Sequence, residues 1–320
     1  SQAIKTLTKV KYFSTEQGLE QLTVMLIAED THGFLWLGTP SGIVRFDGTN
    51  FKAIDSQASG LSDSTILSLY VDSKDRLWVG TERGLNLYDE DNETFINFHQ
   101  NGLLDLQIWG VFEDSSNRLW VSTATGLHVY HQEKNHFESI KFNIDGNQIS
   151  PREVKTFFQH SSGLIWLGSE NSQNYLLDPE LNKLYPLDKD NPLSIKISGQ
   201  SINHILKHDH DSILLILDRQ VIQFSNGKLT TVLTLDNSDL SRLHRGVIDD
   251  DGDLWLSSTT GLTRYSLLGN KTLQAKKIVN TQSIYGVFKD SNGTIWFGTK
   301  HNGLGRYTRS QHFFKHLSAE

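Results

Sequence analysis

Five residues able to grip or transform a polar molecule recur at near-even intervals: Trp109, Lys155, Asn203, His244 and Tyr285, spaced by 46, 48, 41 and 41 residues. The same interval carried toward the N-terminus reaches Leu67 and Met25. Each of these seven lies eleven residues before an anchor that is tryptophan in six cases, Trp36, Trp78, Trp120, Trp166, Trp255 and Trp296, and Leu214 in the seventh. Twelve before the anchor the chain is uniformly apolar (Val24, Ile66, Ile108, Val154, Ile202, Leu243, Ile284), which reads as core. Thirteen before it stand Thr23, Thr65, Gln107, Glu153, Ser201, Arg242 and Ser283, and strand alternation predicts that this place shares a side with the varied one.

Aromatic rings among mixed donors and acceptors suit a sugar or another polar organic ligand, whereas a phosphate would favour a denser basic cluster. The loop beyond each anchor adds Glu82, Arg83, Glu170, Asn171, Arg219, Lys300 and His301. The candidate binding set is therefore Trp109, His244, Tyr285, Lys155, Asn203, Arg242, Arg83, Gln107 and Glu153. Solvated residues drifting free of packing constraint are the competing reading of the same places. His244, Glu153, Lys155 and Tyr285 could also act as the acid and base of a polysaccharide lyase or hydrolase. No G-x-S-x-G elbow, phosphate loop or H-E-x-x-H motif accompanies them, so the expectation is a binding module and not an enzyme, with a protein-docking scaffold as a further alternative.

Metal and cofactor sites are not expected. The stretch KHDHD (207–211) places His208 and His210 two apart in a turn, with no second cluster obliged to meet them. DDDGD (249–253) lacks the acidic residue that closes a calcium loop at its twelfth place.

The elements that must position these residues follow from the repeat. Anchor spacings of 42, 42, 46, 48, 41 and 41 match a four-stranded propeller blade of about 40–45 residues. Short stretches rich in β-branched and aromatic residues, punctuated by Gly, Asn and Asp, favour strands over helices. Within one unit the strands are predicted at 64–72, 75–81, 84–89 and 94–98. The turn before each anchor has the form D-x-x-(G/D/N)-x-x-W in five copies, where Asp caps the turn's amides and Gly, Asn or Asp takes the left-handed conformation. The residue two beyond the tryptophan is small in all six copies (Gly38, Gly80, Ser122, Gly168, Ser257, Gly298), allowing close approach of a neighbouring blade while the tryptophan fills the wedge.

The fold class expected is all-β, a seven-bladed β-propeller with four antiparallel strands per blade. Its blades fall at about 22–54, 64–98, 106–140, 152–187, 200–233, 241–279 and 282–316. Residues 1–21 form a leading segment. KVKYF (9–13) and HFFKH (312–316) both qualify to complete the seventh blade, and the sequence does not choose between them.

The chain has 320 residues, 37% hydrophobic and 21% charged, a composition able to bury a sizeable core. A formal charge of -7 with dispersed Lys and Arg argues against nucleic acid or an anionic membrane as partner. With no cysteine there is no disulfide framework and no thiol nucleophile. No apolar run approaches the roughly 18 residues that span a bilayer, and the first ten residues do not read as a signal peptide.

DSKDRLWVGTERGLNLYD (72–89), DSNGTIWFGTKHNGLGRY (290–307) and inter-blade pieces such as ASGLSDSTILSLYVD resemble the two-component regulator propeller repeat over residues 18–308. The resemblance implies a periplasmic sensor domain of a membrane receptor whose output is a histidine kinase or diguanylate cyclase. It implies a small-molecule or oligosaccharide ligand, attachment to the membrane only through further C-terminal segments, and a homodimer of the full receptor.

Overall fold

The computed structural model describes residues 9–99, 101–103, 105–268 and 272–308, and these form seven four-stranded antiparallel sheets arranged as the blades of a ring. The innermost strands are Leu26–Glu29, Ile66–Val71, Ile108–Glu113, Val154–Gln159, Ile202–Lys207, Leu243–Ile248 and Ile284–Lys289. In each of the first six blades the chain meanders outward through three further strands before crossing to the next. A short hairpin, Phe142–Ile144 with Asn147–Ile149, sits between blades 3 and 4 and accounts for the longer spacing there.

Blade 7 is completed from the other end of the chain. Lys9–Phe13 pairs antiparallel with Leu304–Thr308, from Lys9 opposite Thr308 to Phe13 opposite Leu304. The fourth-strand place expected within 282–316 thus belongs to the N-terminal strand, and 312–316 lie outside the described residues. Joining the two ends through a ladder leaves the ring without a long open edge.

The turn before the anchor is a closed hydrogen-bonded unit. In blade 2, Oδ1 of Asp72 accepts the Lys74 and Arg76 amides at 3.0 and 2.9 Å, and Oδ2 accepts the Trp78 indole N–H at 2.9 Å. Asp30, Asp114, Asp249 and Asp290 hold Trp36, Trp120, Trp255 and Trp296 in the same way at 2.8–2.9 Å. Three residues after the Asp, Asp75 and Asn117 adopt φ of 58° and 60°, and Gly293 adopts 81°. That is the left-handed geometry the turn chemistry requires.

Seven apolar clusters fill the seven wedges, each joining an anchor to strands of the next blade. Trp120 lies with Val154, Ile165 and Leu167 of blade 4, and Leu214 takes the same place against Leu254 and Leu256 of blade 6. The small residue past the anchor admits the neighbouring backbone: a Cβ at Gly298 would stand 2.3 Å from the Val24 carbonyl, closer than real atoms approach. Blade-to-blade bonds such as the Val24 N–H to the Thr299 carbonyl, 2.9 Å, fix the innermost strands around the axis.

DDDGD is an internal ion-pair site. The Arg264 guanidinium lies 3.0, 3.3 and 2.6 Å from Asp249, Asp251 and Asp253. Among the described residues no group of three or more His, Asp or Glu is arranged to hold a metal ion.

Candidate functional site

One end of the central channel opens into a cavity of about 450 Å³, and the residue eleven before the anchor lines it in all seven blades. The cause is local. In blades 2 to 5 and in blade 7 the innermost strand pairs normally at the apolar place, skips the next residue, then resumes: Ile108 faces Thr123, Gly110 faces Ser122, and Trp109 is the extra residue. Such a bulge turns its side chain off the regular alternation. Repeated around the ring, it aims Leu67, Trp109, Lys155, Asn203 and Tyr285 into the lumen. His244 arrives through a similar interruption in blade 6, and Met25 directly precedes the innermost strand of blade 1.

The cavity thus brings together Trp109, Lys155, Asn203, His244 and Tyr285, and it does not include Gln107, Glu153, Arg242 or Arg83 among its lining. The place thirteen before the anchor precedes the first strand residue, so the alternation that predicted its direction does not operate there. Two of its members act on the lining instead. Gln107 accepts the Trp109 indole N–H at 3.2 Å and donates to Glu82 at 2.8 Å, which steadies the ring. Arg242 pairs with Asp218 at 2.8 Å. The Glu153 backbone links blades 3 and 4 through its N–H to the Thr123 carbonyl, 3.0 Å, and Arg83 reaches outward to Asp63 at 3.5 Å.

A polar chain crosses the rim from blade 4 to blade 6. Lys155 donates to Glu170 and, at 2.8 Å, to Asn203, whose amide nitrogen donates at 2.8 Å to both Asp218 and the Leu243 carbonyl. Burial opposes the charge on Asp218, but the Asn203 hydrogen bond and the Arg242 ion pair outweigh it and hold its pKa below the usual value. Asn203 is thereby saturated, and its role is to position Lys155 and Asp218. His244 differs. Its Nε2 is buried with no hydrogen-bond partner among the described residues, and its ring lies 6.1 Å from that of Tyr285. Burial first, then the positive charges of Arg242 and Lys155, lower its pKa, with Asp218 opposing, so the imidazole is neutral near pH 7. A neutral imidazole with an unused nitrogen and an indole face make a wall for a molecule carrying both hydroxyls and an apolar side.

Among the lining residues outside the slots singled out in the sequence, two carry a basic side chain. His204 and Arg245 occupy the tenth place before the anchor, where the other blades carry Leu26, Ser68, Gly110, Thr156 and Gly286. A large polar pair in a place small in four other repeats was the signal available. The channel continues past them into a second cavity of about 640 Å³ that they also line.

Residues 60–83, 102–125 and 278–301 match the family model of the two component regulator propeller. No curated protein matches the chain in sequence. A solved structure described as the extracellular domain of a hybrid two component system, BT3049 of B. thetaiotaomicron, superposes with a TM-score of 0.74 at 19% identity, over 94% of this chain and 42% of that one. The corresponding domain of BT4673 from the same organism gives 0.74 at 17%, over 96% and 40%. Virginiamycin B lyase from Staphylococcus aureus, in a catalytically inactive form with quinupristin, gives 0.70 at 15%, over 94% and 99%. At these identities the likeness is one of fold, and the chain spans about two fifths of the length of the two extracellular domains.

Proposed function

We propose that this chain, whose matched segments are two component regulator propeller repeats, is the ligand-sensing extracytoplasmic domain of a membrane signalling receptor, exposed to the periplasm. Its ligand is a polar organic molecule of saccharide type, held at the Trp109 end of the channel. The observation that carries this reading is the buried, unpartnered Nε2 of His244 in a cavity lined by the one slot that every blade frees from packing. A ligand bridging Trp109 in blade 3 and His244 in blade 6 would favour one arrangement of the receptor by its differential affinity for the two states, which is sufficient to move an output equilibrium.

The likeness to virginiamycin B lyase, which extends over that whole chain, favours a catalytic reading as the alternative. Against it, no Asp or Glu lines the cavity among the described residues, and Lys155 is engaged by Glu170 and Asn203. That leaves His244 beside Tyr285, ring centroids 6.1 Å apart, with no carboxylate in the lining to complete an acid and base pair.

Calorimetric titration with a panel of oligosaccharides tests both. The expected result is saturable binding without turnover, weakened at least tenfold in Trp109→Ala and in His244→Ala. Unchanged affinity in both variants would overturn the site, and turnover of a bound sugar would overturn the sensing role.

A further inference from the structure

The middle of the channel holds a positive charge that no described residue answers. At Arg245 the ladder of blade 6 is interrupted: Leu243 faces Ser258 and pairing resumes only at Gly246 with Leu256, while the Arg245 amide turns to the Ser257 hydroxyl at 3.1 Å. The side chain runs beside Gly286 of blade 7, where a Cβ would stand 3.7 Å from Arg245 Cδ. It is half-buried, opens to the lumen and lines both cavities. Among the described residues no carboxylate or carbonyl accepts from its guanidinium. His204 stands next to it and is half-buried, lining the same two cavities. Its Nδ1 accepts the Gly246 N–H at 3.3 Å, so the ring's proton is on Nε2.

The surroundings do not supply the missing charge. No acidic residue lines the cavity on the Trp109 side. The far cavity has Glu29, already accepting from the Ser291 amide and hydroxyl at 2.8 and 2.7 Å, against Lys207 and Lys289. A chain of net charge -7 thus keeps a positive lumen. A half-buried guanidinium with no counter-charge beside it keeps its N–H donors available to an anion entering the channel.

We propose that Arg245 and His204 form an anion subsite within the channel that takes the carboxylate of the sensed ligand. A planar carboxylate matches two guanidinium N–H groups side by side. The His204 Nε2–H supplies a further donor. This rests on the channel being the ligand site, with the body of the ligand toward Trp109. A free halide is the other source of the same chemistry.

Titration of the intact chain with sodium glucuronate, glucose and sodium chloride in low-salt zwitterionic buffer separates these. Glucuronate is expected to bind at least tenfold tighter than glucose, and Arg245→Met to remove the difference. Equal binding of both sugars, untouched by Arg245→Met, overturns the subsite and leaves the sensing site standing. A glucuronate effect no larger than that of chloride overturns the ligand-carboxylate assignment in favour of a resident ion. Anion binding that is indifferent to Trp109→Ala keeps the subsite and counts against the sensing site. Crystals soaked in sodium bromide give a readout independent of any variant: an anomalous peak beside Arg245 supports the subsite, and its absence there overturns it.

Discussion

Asp72 makes clear why one short motif recurs. Its buried carboxylate caps two amides, receives the Trp78 indole and pairs with Arg76 at 2.7 Å. Asp72→Ala would leave the buried Trp78 N–H and two turn amides without their acceptor, and each such unsatisfied donor costs about 1–3 kcal/mol. Urea denaturation followed by tryptophan fluorescence should show that loss, and a change below about 1 kcal/mol would contradict the role assigned to the motif. His204 gives a second expectation at this scale. Burial, reinforced by the neighbouring Arg245 charge, lowers its pKa to about 3 from the ordinary 6.5. Between those values the unfolded chain binds a proton that the folded chain refuses, so folding stability falls as pH drops below 6.5. The slope for one such group approaches about 1.4 kcal/mol per pH unit. The urea midpoint measured from pH 6.5 to 4.5 should decline, and His204→Gln should flatten the decline. His128 and His244, whose pKa values burial also lowers, would keep part of the slope.

Among the elements, the strand Lys9–Phe13 carries the closure. Phe13 is buried against Phe46 and Trp296, with ring centroids 4.9 and 5.8 Å away, so the strand contributes core as well as a ladder. Deleting residues 1–13 would expose the edge of Leu304–Thr308 and empty that wedge. Removing one large buried aromatic alone costs about 3–5 kcal/mol. The truncated chain is expected to melt well below the parent and to associate through its bare edge, read by differential scanning calorimetry and size-exclusion chromatography. A monomer with an unchanged melting temperature would mean that the ring is held elsewhere. The bulged innermost strands teach a different lesson. Their positions were legible, because a place that varies while its neighbour stays apolar marks a change of environment. Their consequence was not, since each strand begins at the apolar place and alternation does not extend to Gln107, Glu153 and Arg242 just before it.

For the whole molecule, the sequence alone determined the strand content, the seven units, the Asp-to-Trp turn and the slot that faces the axis. All of these are local, repeated along the chain and therefore readable in one dimension. The ring decided the rest. It chose the N-terminal strand over the C-terminal stretch as the closing partner, because that choice depends on which segment meets the seventh sheet in space. It saturated Asn203 with groups from blades 4, 5 and 6, left His244 Nε2 unused, and set Arg245 beside His204 without a counter-charge. Whether a polar side chain is spent or free depends on partners some 40 residues away in the chain, and only closure around an axis brings those partners within hydrogen-bond reach.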